Sequence, residues 1–366
     1  MSDKRRDSTL SAFTVSLFIA CLVIATECPT VAQNGTAWPE ADKLFRTDPR
    51  WLGSDAAFSI DLGDNHVLWL FGDTFVARRI GDSRKQAAFV RNTVAIQTGY
   101  DPSRADIRFY WRGGASWEIF PSEGKIWMWP AHGTRIGRRL IVFCSRVAPD
   151  SKKDSLGFQL VGWVAFAIDN PDDEPSVWKM RKIGEDHERL MLGSAVVRDS
   201  AFVYVFGESE PAHDIYLARW SLEDFQSPQL GAPEWWSGAD WHQEKSTRQP
   251  VMRNVSSEIS VQLNPSGGGF IEVNSQGFGA TDVVMRSAPR LDGPWNAAKV
   301  IYRPPESNAP DVFVYAGKSH PELTGADLVV TYATNSNDKK LPTDMDLYFP
   351  RFVKIDLRSR GQLLTQ

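Results

Sequence analysis

The 366-residue chain contains only three cysteines and six histidines, and none of them falls in the paired spacing that a zinc site requires. The sequence therefore carries no zinc signal. Basic charge is also scarce: 41 Lys plus Arg stand against 45 Asp plus Glu, a formal net charge of −4. No excess remains to neutralise phosphates, which argues against nucleic acid as a partner. The apolar run from Ala12 to Ala25 is shorter than the ~20 residues of a membrane helix. Helical patterning is nearly missing, and stretches such as Leu222 to Phe225 are too short to stand alone. What is plentiful is aromatic and turn-forming: 14 Trp, 20 Phe, 8 Tyr and 27 Gly. That composition suits strands, tight turns and surfaces that stack on planar or sugar-like ligands.

The N-terminus has the three-part layout of a secretory signal peptide. Lys4, Arg5 and Arg6 precede the apolar run, and the small-residue pattern Thr30-Val31-Ala32 follows it. A lipoprotein anchored at Cys21 is disfavoured by the bulky Phe18 in the preceding positions. Residues 1–32 are thus expected to be removed, leaving residues 33–366 as one domain, secreted or periplasmic and free of the membrane. Cleavage would also remove Cys21 and Cys28, so Cys144 alone would remain and no intramolecular disulfide could form. Cys144 ends the apolar run Leu140-Ile141-Val142-Phe143 and reads as a buried, inert thiol.

A repeat fills the remaining chain. Five strand-like runs begin at Leu68, Leu140, Phe202, Phe270 and Leu328, at intervals of 58 to 72 residues. Each follows a shorter run across turn residues: Ala56 to Ile60 before Gly63-Asp64-Asn65, Ile126 to Trp129 before Gly133, Ala195 to Val197 before Asp199-Ser200, Ile259 to Leu263 before Pro265 to Gly269, and Val312 to Ala316 before Gly325-Ala326-Asp327. These are hairpin signatures. A four-stranded blade needs about 40 to 50 residues, so five blades with long loops account for the whole mature length. The fold expected is all-β, a five-bladed β-propeller with the first strand of each hairpin innermost. Two β-sandwiches are the rival, but no Pro-, Ser- or Gly-rich linker divides the chain. WD-type, kelch-type and sialidase-type repeat signatures are missing.

Inner strands of a propeller converge on the axis, where a glycosidase needs two facing carboxyl groups. Asp55 directly precedes the first inner strand, and Glu258 holds the corresponding place in the fourth unit. Glu123 precedes the second inner strand. Asp73 and Glu208 share another register, ending the second strands of units one and three. Asp55 and Asp73 belong to one hairpin and can meet; Asp55, Asp73 and Glu258 are the catalytic candidates. Arg91, in Arg91-Asn92-Thr93, offers donors for sugar hydroxyls or a carboxylate, as does Arg253. His132 and His320 lie in the hairpins of units two and five, as ligands or turn residues. Arg91, Glu123, Glu208 and His320 form the substrate-binding set. The Trp235-Trp236 and Trp241 stretch reads as a loop, either a stacking platform or a packed seal. No cofactor is expected, although an oxygen-only calcium site near the axis would leave little trace.

The run from Asp55 through Gly63-Asp64-Asn65 to Leu68-Trp69-Leu70-Phe71-Gly72-Asp73-Thr74 resembles the opening hairpin of a family of secreted bacterial propeller domains of unknown function. Tyr315-Ala316-Gly317-Lys318-Ser319-His320-Pro321, Tyr332 to Asn335 and Leu347 to Arg351 resemble that family's last blade. The resemblance implies a five-bladed propeller whose relatives include glycoside hydrolases cutting arabinan, within a clan of arabinanases, xylosidases and fructosidases. By matching position it makes Asp55 and Asp73 the acidic pair. In that clan a Glu on the third inner strand acts as acid, whereas Ser194 stands there in this chain, so Glu258 or Glu208 is the substitute. The reading is a secreted glycoside hydrolase acting on a polysaccharide. Its alternatives are a non-catalytic carbohydrate-binding propeller and a scaffold with Trp-rich loops. If export is as read, N-terminal sequencing of protein from the native host will start near Gln33; an intact Met1 on membrane-inserted protein would refute cleavage.

Overall fold

The structure is a computed structural model, and it describes residues 35–357 apart from 114–115, 153–155, 278 and 338–339. The signal-peptide assignment to residues 1–32 lies outside the described residues. Among those described, the strands form five antiparallel sheets. Blade one comprises Trp51–Gly63, His66–Val76, Thr93–Thr98 and Asp106–Tyr110, with Ala88–Val90 added to the end of its second strand. Blade two runs through Trp127–Ile136, Arg139–Pro149, Phe158–Ile168 and Met180–Asp186. Leu190–Arg198, Phe202–Ser209 and Asp214–Ser221 begin blade three, and Ile259–Leu263, Phe270–Ser275, Val283–Ala288 and Lys299–Tyr302 form blade four. Each first strand packs beside the first strands of its two neighbours, and the circuit returns from blade five to blade one. The protein is a five-bladed β-propeller.

Alternation along the second strands explains the ring. In a strand, successive side chains point to opposite faces, and both faces of a blade are buried by neighbours. Leu68 and Leu70 pack with Leu140 and Val142 of blade two, while Val67, Trp69 and Phe71 pack with Val329 and Phe352 of blade five. On blade two, Cys144 faces blade one, and Ile141 and Phe143 face Val203 and Val205 of blade three. Cys144 is a buried free thiol whose pKa burial pushes up. Continuous apolar runs are therefore what such strands require.

Blade five departs from the expected chain-ordered repeat. It is built from Val312–Ser319, Leu328–Ser336 and Arg351–Ile355, and its outermost strand is Gly35–Ala37 from the other end of the domain. Gly35 pairs with Ile355 and Ala37 with Val353. Behind this strand, Phe45 is fully buried among Trp51, Trp69, Phe71 and Phe352, with ring centroids 4.9 to 6.1 Å away. The ends of the domain are thus stapled together, which covers an edge that would otherwise offer unpaired backbone groups.

Two local readings also change. Gly133 is no turn: it lies inside Trp127–Ile136 at a register shift, where a Cβ would come within 2.2 Å of the Ile141 carbonyl oxygen. The hairpin instead turns at Gly137, which has a positive φ of 58°. The Trp235 stretch is not a plain loop, because Glu234–Trp236 and Trp241–His242 pair with each other as the outer strands of blade three. Trp236 and Trp241 pack at 5.5 Å, and the Arg219 guanidinium lies 4.2 Å over Trp241. Leu222–Gln226 does form a short helix, capped by the Ser221 hydroxyl accepting from the Asp224 N–H.

Closure should dominate stability. Phe45→Ala is expected to cost about 3–5 kcal/mol, the usual range for emptying a buried aromatic site, and deletion of residues 35–46 should abolish cooperative melting. Urea titration of the first variant and calorimetry of the second check this. A deletion protein melting like wild type would show that the ring does not need its staple.

Candidate active site

Four of the five inner strands carry register shifts: Ser54 to Phe58, Pro130 to Gly133, Leu192 to Ala195 and Tyr315 to Lys318. A bulge breaks the alternation of side chains and re-aims its residues. In blade one, Ala56 and Ala57 have φ of 66° and 57°, and in blade five Ala316 has φ of 57°. Left-handed backbone costs a non-glycine residue about 1–3 kcal/mol and persists where its surroundings enforce it. The residues directly before these bulges are Asp55 and Tyr315, and the bulges bring them together. Tyr315 Oη donates to Asp55 Oδ2 at 2.8 Å, and Asn335 Nδ2 donates to Tyr315 Oη at 3.1 Å. Tyr348 reaches the same Asp55 carboxyl, and its Oη donates to the Asp73 carbonyl at 3.0 Å.

Asp73 lies beside this group, not at the end of the second strand of blade one as expected but inside it, because Thr74 to Val76 continue the strand by pairing with Ala88–Val90; Asp55 likewise lies inside Trp51–Gly63 instead of before it. Arg91 Nη1 lies 3.2 Å from its Oδ2, and Trp129 Nε1 donates to its Oδ1 at 3.0 Å. The Arg91 guanidinium also lies 4.1 Å over the ring of Trp127. Glu258 comes from the segment before the inner strand of blade four, where Lys318 Nζ donates to its Oε2 at 2.8 Å. Gly72 makes room for the cluster, since a Cβ there would stand 2.6 Å from Asp55 Oδ1. The seam between blades one and five is further tied by buried Arg84. It donates to the carbonyls of Leu52, Leu341, Asp344 and Leu347.

The electrostatics separate the two aspartates. Burial raises the Asp55 pKa from 3.8 to about 8, and the charges of Asp73 and Glu258 add to the rise. Asp55 therefore holds its proton at neutral pH. Asp73 is also raised by burial, but Arg91 and the Trp129 N–H oppose this and favour its anion. One carboxyl kept neutral beside another held by a cation is the arrangement that acid–base chemistry on a glycosidic oxygen needs. Among the described residues, no group of three His, Cys, Asp or Glu side chains is arranged to hold a metal.

The structure thus brings Asp55, Asp73, Glu258 and Arg91 into one cluster. Glu123 is taken up in a separate ion-pair network with buried Arg146 and with Lys182, at 3.0 and 2.9 Å. Glu208 is buried and bonded to His213 Nδ1 at 2.7 Å, and burial raises its pKa to about 7. His320 is buried toward the far ends of the inner strands, where Nδ1 meets Ser59 Oγ at 2.6 Å and Nε2 meets Thr331 Oγ1 at 2.7 Å. It and His132 line a cavity of about 710 Å³ at that end. Both imidazoles have pKa values lowered by burial, His132 to about 4. Asn92 spans blades one and two, donating to the Phe120 and Met128 carbonyls at 2.9 Å. Ser194 is buried and donates to the Met191 carbonyl at 2.9 Å. Arg253 is spent on Asp214 at 3.0 Å. Tyr315, Tyr348, Trp129 and Lys318 were not among the residues picked from the sequence. Three of them sit in the last-blade motifs quoted above, but nothing local in those motifs marks them as converging on Asp55.

A protein family described as "Domain of unknown function (DUF5005)" matches residues 40–357. The chain belongs to that family. The sequence matches none of the curated proteins. Among solved structures, this DUF5005 chain is similar to a candidate hydrolase from Bacteroides ovatus, at 18% identity and a TM-score of 0.72, over 89% of this chain and 91% of that one. It also matches an endo-arabinase from Bacteroides thetaiotaomicron, at 12% identity and a TM-score of 0.46, over 83% and 94% of the two chains. A xylan β-1,4-xylosidase from Bacillus halodurans matches at 10% identity and a TM-score of 0.48, over 84% of this chain and 53% of that one.

The proton on Asp55 ties the site to stability. Between pH ~4 and ~8 the native chain keeps a proton that the unfolded chain has lost, so stability falls as pH rises through that window and levels off above it. Asp55→Asn should melt like wild type near pH 4 and be more stable above pH 8, by an amount on the order of a few kcal/mol. Calorimetry of both proteins at pH 4, 6 and 8.5 tests this. A constant difference across the series would mean that Asp55 titrates normally.

Proposed function

We propose that this DUF5005 propeller is an exported glycoside hydrolase that cleaves a polysaccharide at the cluster of Asp55, Asp73 and Glu258, with arabinans and other furanosides as the first substrates to try. The observation that carries the reading is Asp55, with its pKa near 8, beside an Asp73 held by Arg91 and Trp129. Asp55 would donate its proton to the leaving glycosidic oxygen as the bond breaks. Asp73 would act as base on water or as nucleophile at the anomeric carbon. Tyr315 and Tyr348 hold Asp55 in place for that transfer, and Arg91 orients Asp73. The Bacteroides ovatus protein supports the fold on which such a site would be built, and the choice of furanosides rests on the sequence resemblance. Export rests on the N-terminal pattern alone.

One observation favours the second reading, a carbohydrate-binding propeller without turnover. Where the arabinanase-like clan carries its acid on the third inner strand, this chain has Ser194, buried and bonded to its own strand. The sequence points to Glu258 or Glu208 as the substitute acid, but Glu258 is paired with Lys318 and Glu208 is bonded to His213, so on the first reading Asp55 has to be the proton donor.

The mature protein should release reducing ends from at least one member of a panel of arabinans, fructans and xylans. Asp55→Asn and Asp73→Asn should each keep fold and oligosaccharide affinity while lowering turnover by ~10²-fold or more. The kcat/KM profile should fall on its alkaline side near pH 8, as Asp55 loses its proton. Full activity in either variant would remove that residue from the chemistry. Tight oligosaccharide binding by wild type without cleavage anywhere in the panel would establish the binding module instead.

A further inference from the structure

Lys318 lies on the inner strand of blade five and is 1% exposed, among the largest fully buried side chains of the protein. An ammonium so far from water is retained only where its charge is paired and its three donors are met. All three are. Nζ donates to the Ala316 carbonyl at 2.9 Å, to the Ala56 carbonyl, and to Glu258 Oε2 at 2.8 Å. The Phe58 ring, with its centroid 4.5 Å from Nζ, covers a further side. The two carbonyl acceptors are no ordinary strand positions. Ala56 and Ala316 are the left-handed residues of the bulges in blades one and five, and each directly follows a residue of the cluster, Asp55 and Tyr315. One cation therefore holds, from three blades, the backbone behind the acid, the backbone behind the tyrosine that bonds it, and the third carboxylate.

We propose that Lys318 is the positioning residue of this site: it fixes the two strained bulges that present Asp55 and Tyr315 to each other, and it anchors Glu258 against them. The proposal rests on the glycosidase reading for its effect on turnover, but not for its effect on structure. Without the ammonium, two bulges with unfavourable backbone lose their common tether, and Glu258 loses the charge that draws it into the axis. Lys318 also lines the cavity of about 710 Å³ described above. It therefore stands between Glu258, which it bonds, and the cavity that His132 and His320 line. Arginine cannot take over, because its planar fork does not aim donors at three acceptors converging on one point.

The test uses the full chain with Lys318→Met, which keeps the length of the stem, and Lys318→Arg, which keeps the charge. Hydrogen exchange followed by mass spectrometry on peptides covering 54–58 and 314–318 should be tenfold or more faster in Lys318→Met, while the inner strand of blade three, 190–198, exchanges as in wild type. On a polysaccharide that wild type cleaves, kcat should fall by ~10²-fold with KM changed by no more than about threefold, the signature of misplaced reacting groups. Lys318→Arg should show both effects in weaker form, and it carries the test if Lys318→Met does not fold. Wild-type exchange at both bulges, or wild-type kcat despite fast exchange, overturns the proposal. Should wild type cleave nothing, the glycosidase reading fails and the exchange measurement alone decides the structural role of Lys318.

Discussion

Everything in this molecule depends on closing the ring. Each blade is apolar on both faces, so no blade can bury itself alone, and the five interfaces between neighbours hold five separate clusters of buried side chains. Four of those interfaces follow from chain order. The fifth, between blades five and one, has to be made by residues far apart in sequence, and it is reinforced accordingly. Gly35–Ala37 completes blade five, Phe45 fills the core behind it, and the buried guanidinium of Arg84 ties Leu52 to the segment before Tyr348. The acidic cluster straddles this same seam: Asp55 and Asp73 come from blade one, and Tyr315, Lys318 and Tyr348 from blade five. The interface that costs most chain entropy to form is the one that builds the site.

Several groups in the cluster are individually unfavourable. Ala56, Ala57 and Ala316 hold left-handed backbone, Asp55 is a carboxyl kept from water, and Lys318 is a fully buried ammonium. Sites of this kind persist because the surrounding fold over-determines them. Here the excess comes from the apolar interfaces around the seam, where Trp51, Trp69, Phe71 and Phe352 pack on one another. The stacked rings keep the strands rigid enough that a bulge cannot relax by sliding its register.

The fold was largely legible because both-face burial leaves a strong trace: apolar runs such as Leu68 to Phe71 and Leu140 to Cys144 recur at even intervals. What escaped were features that depend on distant pairing. Gly35-Thr36-Ala37 has no strand signature of its own, and it becomes a strand only because Arg351–Ile355 offers an edge. Gly133 looked like a turn since glycine serves turns and bulges alike, and only the approach of the Ile141 carbonyl distinguishes them. The carboxyls Asp55, Asp73 and Glu258 could be picked out because each borders an apolar run in the sequence, although the strands extend past Asp55 and Asp73 and only Glu258 directly precedes one. Tyr315 and Lys318 could not, because a bulge breaks the alternation on which any assignment of faces rests. Glu123, Glu208 and His320 had similar positions along their hairpins, yet their partners Arg146, His213 and Ser59 occupy them elsewhere.

Charge counting within the cluster explains why the proton belongs on Asp55. Asp73 faces the guanidinium of Arg91, and Glu258 faces the ammonium of Lys318. Those two pairs are each neutral. Among the described residues Asp55 has no ion pair: its hydrogen-bond partners are the hydroxyls of Tyr315 and Tyr348, and it feels the charge of Lys318 only at longer range, while that ammonium is bonded to Glu258. Ionising Asp55 would therefore leave a net negative charge in a space with little water, facing two further carboxylates, whereas protonating it leaves the group neutral as a whole. The residue directly tethered by the strained bulge of blade one is thus the one that must carry an exchangeable proton at neutral pH. The same count gives Lys318 its place: remove its charge, and Glu258 becomes an uncompensated carboxylate beside the neutral Asp55, so that the distinction between one acid and two paired anions is lost.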